Sequence, residues 1–230
     1  MKPQEIRDAL IAVAVVAGVL PIVGVNLAYW LAQDAGHVPS CFVFLDGCTS
    51  VSATGRVPPG SLVFKATLLP TAVITAIYWY LASLWLQSLG DRSPTQRMLP
   101  WMGFLAALFL SLYTAVLGHV DASYDIARRI AVLAYLSLAL MSQLLLTRRV
   151  EDRYRAGKLI PRWVLRAKVA LLAVMIILGL TLIPASLWTA DSKTIEYVLE
   201  WNFCVLLAAY YPLTACAWSA TGFHLRLGTH

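Results

Sequence analysis

The stretch ALIAVAVVAGVLPIVGVNLAYWL, residues 9–31, decides the fold class. It holds no charged residue, and a helix needs roughly 20 apolar residues to cross a hydrocarbon core of about 30 Å. Lys2 and Arg7 precede it, as basic residues precede a secretory leader. The run is longer than the apolar part of a leader and no small-residue cleavage site follows, so it reads as a retained helix. Runs of the same kind recur at 62–87, 99–118, 126–147, 164–187 and 197–220. The expected fold is therefore all-α, a polytopic bundle of six transmembrane helices, because in lipid a helix satisfies its own backbone hydrogen bonds.

Composition points the same way. Of 230 residues, 60% are hydrophobic and 13% charged, with a mean hydropathy of +0.71, which leaves little chain for a separate soluble unit. Residues 1–230 read as a single transmembrane domain with one long extracytoplasmic loop at about 32–61. That loop carries Gly36, Pro39, Gly47, Gly55, Pro58, Pro59 and Gly60, and shorter breaks fall at 90–94 and 121–125. No repeat of 20 to 50 residues is visible. Pro21, Pro70, Pro184 and Pro212 fall inside the runs, where each removes one backbone donor and predicts a kink.

The net charge of +6 is a matter of orientation rather than nucleic-acid binding, since the basic residues flank apolar runs. One side gathers Lys2, Arg7, Arg92, Arg97, Arg226 and the basic stretch 148–168, whereas the other has only Arg56, Lys65, Arg128, Arg129 and Lys193. The richer side is expected to be cytoplasmic, with both termini on it. The loop with Cys41 and Cys48 then faces an oxidising compartment, which permits a disulfide between them. Cys204 and Cys216 lie in the last run and read as packing residues.

The stretch 148–168 reads as a cytoplasmic loop that sets topology and attracts anionic lipid, at roughly 1 kcal/mol per basic residue near the surface. It is also the place where a protein partner would dock. Trp30, Trp79, Trp85, Trp101, Trp163, Trp188 and Trp201 fall near span ends and read as interfacial anchors.

Ionisable residues collect at the outer ends of the runs: Asp46, Arg56, Lys65, His119, Asp121, Asp125, Arg128, Arg129, Glu196 and Glu200. Charges at membrane depth face protein or water and mark function more often than charges elsewhere. Asp125 is in helical register to meet Arg128 or Arg129, and Glu196 and Glu200 share one face of the last span. Arg128 and Arg129 differ by about 100° in direction, so they are not expected to point the same way. Guanidinium groups bind phosphate in a bidentate fork, which suits such a cluster to an anionic lipid headgroup. The candidate lipid-binding set is Ser50, Ser52, Thr54, Gly55, Arg56, Asp125, Arg128, Arg129, Glu196 and Glu200.

Catalysis has little support in these residues. Only His37, His119, His224 and His230 exist, with no converging metal ligands, and no phosphate-binding or dinucleotide fingerprint is present. No catalytic residue, metal or cofactor is expected. An enzymatic alternative would pair Ser50 or Ser52 with His119. A transporter or channel would need a continuous polar path. The span middles offer Thr75, Ser111, Thr114, Gln143 and Thr181, which interhelical hydrogen bonds would account for.

The segment CTSVSATGRVPPGSLVF, residues 48–64, resembles the signature of the DRAM/Frag/Sfk superfamily, with Ser50, Ser52, Gly55, Pro58 and Pro59 in the matching places. SYDIARRIAVLAYLSLALMSQ at 123–143 resembles that family's fourth span, and EWNFCVLLAAYYPLTACAW at 200–218 its last. The superfamily includes the damage-regulated autophagy modulators and the post-GPI-attachment lipid-remodelling factor. The resemblance implies six spans and a role in lipid biology: GPI-anchor lipid remodelling, lipid asymmetry, sterol retention or autophagy. Where members often carry a His at the start of the fourth span, this chain has Tyr124 beside Asp125, so a role built on that His does not transfer.

The expected function is a non-enzymatic membrane protein that binds or organises lipid, anionic lipid included, at an outward-facing polar pocket. The alternatives are a lipid-remodelling enzyme, as an acyl or headgroup transferase or hydrolase, and a small-solute transporter or channel. With no sequon and no retention signal, a plasma membrane or bacterial inner membrane is the expected location.

Overall fold

A computed structural model describes residues 3–119, 122–188 and 192–224. Lys2, Asp121, Arg226 and His230 lie outside these, as do the side chains of Pro184 and Trp188. The described chain is helical: α1 Pro3–Asp34, α2 Val43–Asp46, α3 Val51–Thr54, α4 Gly60–Ser88, α5 Pro94–Val116, α6 Ala122–Arg155, α7 Arg162–Trp188 and α8 Ser192–Ala220. All but the one-turn helices α2 and α3 are long and apolar enough to cross a membrane. The chain is a multi-pass membrane protein of six spans.

Neighbours in space run α7, α8, α1, α4, α5, α6, and α6 touches α7 over only a short stretch. That thin seam shapes the candidate site. Elsewhere the helices approach closely. Pro212 has no N–H to give the Ala208 carbonyl four residues back, and α1 sets Gly18 against the freed oxygen. A Cβ on Gly18 would lie 2.5 Å from both Ala208 O and Pro212 Cδ. Gly18→Val is therefore expected to destabilise the bundle by about 1–3 kcal/mol through overpacking, read as a lower thermal midpoint in detergent. An unchanged midpoint would contradict this packing.

The tryptophans divide between two roles. Trp30, Trp101 and Trp163 are exposed at span ends, as interfacial anchors should be. Trp79, Trp85 and Trp201 are buried, and this corrects the sequence reading. They lie near span ends but on the faces turned inward, and distance from a span end does not reveal the face. Trp79 and Trp85 join Tyr78, Tyr211 and Trp218 in an edge-to-face aromatic core, with Tyr78 and Tyr211 centroids 4.7 Å apart.

The basic stretch 148–168 is not one loop. Helix α6 runs on to Arg155, and the connection to α7 is short. Its basic side chains are partly consumed by their own helix: Arg148 and Arg155 pair with Glu151, and Arg149 with Asp152. Arg149 also grips Asp91 in the α4–α5 turn, Nε to Oδ2 at 2.7 Å and Nη2 to Oδ1 at 2.8 Å. Ser93 then caps α5 by accepting the Gln96 N–H at 3.2 Å.

Lys168 departs furthest from expectation. It is fully buried in the bundle, where its Nζ donates to Thr214 Oγ1 at 2.6 Å and lies 3.4 Å from the Tyr210 ring centroid. Tyr78 shares Thr214 at 2.7 Å, and the Tyr210 hydroxyl donates to the Gln143 carbonyl at 2.9 Å. The mid-span hydroxyls are also arranged differently from expectation. Thr75, Thr114 and Thr181 bond carbonyls of their own helices, whereas Gln143 reaches across to α8 through Leu207 O at 2.9 Å.

Candidate functional site

The segment between α1 and α4 folds back over the bundle as a cap. Cys41 and Cys48 form a disulfide, with S–S 1.98 Å. Tyr29 on α1 holds the start of this loop, accepting the Cys41 N–H at 3.0 Å and donating to Cys41 O at 2.9 Å. Helix α8 holds the rest: Trp201 Nε1 donates to Thr49 O at 2.9 Å, and Asn202 Nδ2 to Phe44 O at 2.9 Å. Asp46 folds onto its own turn by accepting the Phe42 N–H at 2.8 Å.

Ser50 caps α3, accepting the Ala53 N–H at 3.2 Å, and its hydroxyl lies 3.1 Å from that of Ser52. Arg56 Nη2 donates to Ser52 Oγ at 3.2 Å. The Glu200 carboxylate on α8 lies beside the backbone of Val51 and Ser52, under the cap. Thr54 is fully buried with its hydroxyl on Val51 O at 2.8 Å. Gly55 packs so closely that a Cβ there would lie 2.6 Å from the Phe64 ring and 2.7 Å from Leu117. Thr54 and Gly55 thus support the cap from behind.

Beneath the cap lies a cavity of about 960 Å³ bounded by α6, α7 and α8. Ser50, Ser52, Arg56, Arg128, Arg129, Glu196 and Glu200 all line it, together with Lys193 and Tyr113. On α8, Glu196, Glu200, Phe203 and Cys204 recur at helical spacing on the cavity wall. The long side chains of Arg128 and Arg129 both reach the cavity despite their different directions. Asp125 stands outside the lining and pairs with Arg128, Oδ1 to Nη2 at 2.7 Å. Below this charged rim the wall turns apolar, with Leu136 and Leu140 on α6 facing Met175 and Ile176 on α7.

A second, smaller cavity of about 90 Å³ lies at the bundle centre among α1, α4, α5, α6 and α8. It shares Tyr113, Val132, Leu136, Glu200 and Cys204 with the first. Several residues of the sequence reading stay apart from both. His119 stacks on Tyr124 at 4.6 Å with Nδ1 3.2 Å from Val116 O, while the hydrogen bonds of Ser50 and Ser52 go to each other, Ala53 and Arg56. Lys65 lines neither cavity.

Sequence reading missed Lys193 and Tyr113 as lining residues and missed the apolar wall. Lys193 reads as a surface cation and Tyr113 as one more apolar-span aromatic, so nothing in their spacing marks them. The chain matches the family described as the Frag1/DRAM/Sfk1/Cwh43P N-terminal domain over residues 9–218. No curated protein and no solved structure matches it.

Proposed function

This chain belongs to the Frag1/DRAM/Sfk1/Cwh43P N-terminal domain family, and from that membership we propose that it binds a membrane phospholipid in the α6–α7–α8 cavity without transforming it. The observation that carries this reading is the cavity's two-part lining. Arg56, Arg128, Arg129 and Lys193 form a cationic rim under the cap, and the apolar wall continues from it to the seam where α6 and α7 touch least. Guanidinium forks receive a phosphate, and the seam lets acyl chains remain continuous with the bilayer. A volume near 960 Å³ lies at the upper end of the range of ligand sites.

The cap faces the extracytoplasmic side in this reading, since the opposite end carries most of the Lys and Arg. The membrane is then a plasma membrane or a bacterial inner membrane. The enzymatic alternative is disfavoured because, among the described residues, the hydroxyls of Ser50 and Ser52 bond each other, Ala53 and Arg56, and His119 stacks on Tyr124 outside the cavity lining. The transport alternative is disfavoured because the spans' hydroxyls are largely satisfied by their own helices. A protein partner would find its remaining cations around Lys158 and Arg166.

A phospholipid with a photoreactive acyl chain, incorporated with the full chain into nanodiscs, tests the placement. Adducts are expected on Leu136 and Phe203, which line the cavity. Adducts confined to Ile126, Ile130 and Ile177 would contradict it. These three are exposed on the outside of the bundle and belong to neither cavity lining.

A further inference from the structure

The rim of the cavity carries both signs of charge. Arg128 is already compensated by Asp125 at 2.7 Å, but neither Glu196 nor Glu200 joins an ion pair among the described residues. The two carboxylates are one turn apart on α8, a spacing at which like charges repel. Glu200 lines the cavity beside the backbone of Val51 and Ser52. Glu196 is exposed at the mouth. Beside them Tyr113 is only 5% exposed, and its hydroxyl makes no hydrogen bond among the described residues although it lines both cavities.

A purely anionic headgroup would satisfy the arginines and leave two carboxylates facing negative charge. A headgroup that carries a phosphate and a primary ammonium satisfies all of these groups. We propose that the cavity selects a phospholipid of the phosphoethanolamine class, with the phosphate on Arg129 and Arg56 and the ammonium on Glu196 and Glu200. The ammonium offers three donors, and a quaternary ammonium offers none, so carboxylate acceptors distinguish the two. The Tyr113 hydroxyl is left to donate to a lipid oxygen. This selectivity rests on the lipid-binding reading above and replaces anionic lipid as the preferred ligand.

Dioctanoyl phosphatidylethanolamine, phosphatidylcholine and phosphatidylglycerol, titrated into the detergent-solubilised full chain by calorimetry, separate the possibilities. The ethanolamine lipid is expected to bind about tenfold more tightly than the other two, the worth of a charge-assisted hydrogen bond. Glu196→Gln and Glu200→Gln are each expected to shrink that preference, and the double variant to abolish it while the glycerol lipid still binds. Gln is nearly isosteric with Glu, and Trp201 and Asn202 still hold Thr49 and Phe44, so the cap stays in place. Equal affinity of the wild type for all three lipids, or a preference that survives in the double variant, overturns the proposal and leaves lipid binding intact. No binding of any lipid overturns both. Glycerophosphoethanolamine, which has no acyl chains, is expected to compete weakly; competition equal to that of the lipid would overturn the assignment to a membrane ligand.

Discussion

Replacing Asp91 with Ala is expected to cost about 3 kcal/mol of stability, the lower end of the range for breaking a buried ion pair. The lower end applies because the Arg149 side chain keeps 19% of its exposure, while Asp91 keeps only 1%. Arg149 would lose two short charge-assisted bonds and keep only Asp152 at 2.8 Å. Of the hydrogen bonds from α6 to the α4–α5 turn, the weaker one from Arg153 Nη1 to Gly90 O at 3.3 Å would remain, and the Ser93 N–H would lose its acceptor at 2.9 Å. Burial alone would raise the Asp91 carboxyl. Hydrogen bonds from Arg149 and Ser93, with the guanidinium charge, outweigh it and lower the group to about 2.

The sign of the pH dependence follows from that shift. A carboxyl depressed in the folded state stabilises it above the unfolded value, near 3.9, and this contribution is lost as pH falls through about 2. Thermal midpoints in mild detergent should therefore fall between about pH 4 and pH 2 more steeply for the wild type than for Asp91→Ala. At pH 7 the variant should melt well below the wild type. Equal midpoints at pH 7 would show that the turn does not depend on this pair.

The six spans were legible because hydropathy and helix length answer the same question, which is what the bilayer will accept. Their ends were legible only where polar residues break the helix. At 148–155 the arginines read as a loop, yet they extend α6, because alternating Arg and acidic residues at helical spacing pair along a solvated helix. Lys168 read as a surface cation for a related reason. Hydropathy records that a residue is charged, and it cannot record that Thr214 and Tyr210 wait for it inside the bundle.

The candidate site was legible in part. Charges at the ends of different spans were visible in sequence, and seven of the residues chosen meet in one cavity. Their convergence depends on the cap, whose position is set by Trp201, Asn202 and Tyr29 acting on backbone groups far away in the chain. Thr54 and Gly55 sat inside the same motif and serve it by packing. The apolar wall was hidden because Leu, Met and Ile facing a cavity look the same in sequence as those facing lipid.

Arg129 bears most directly on the central claim. It lines the cavity and joins no ion pair among the described residues, whereas Arg128 is held by Asp125. Its guanidinium is thus a rim cation free to take a phosphate, and removing it forfeits a charge-assisted bond worth about 10- to 100-fold in affinity. Its exposed position makes no demand on the fold, so the thermal midpoint should not change. The decisive measurement is native mass spectrometry of the chain purified in mild detergent, comparing wild type with Arg129→Ala. The account predicts a phospholipid retained by the wild type and reduced at least tenfold in the variant; equal retention by both proteins, or none by the wild type, would contradict it.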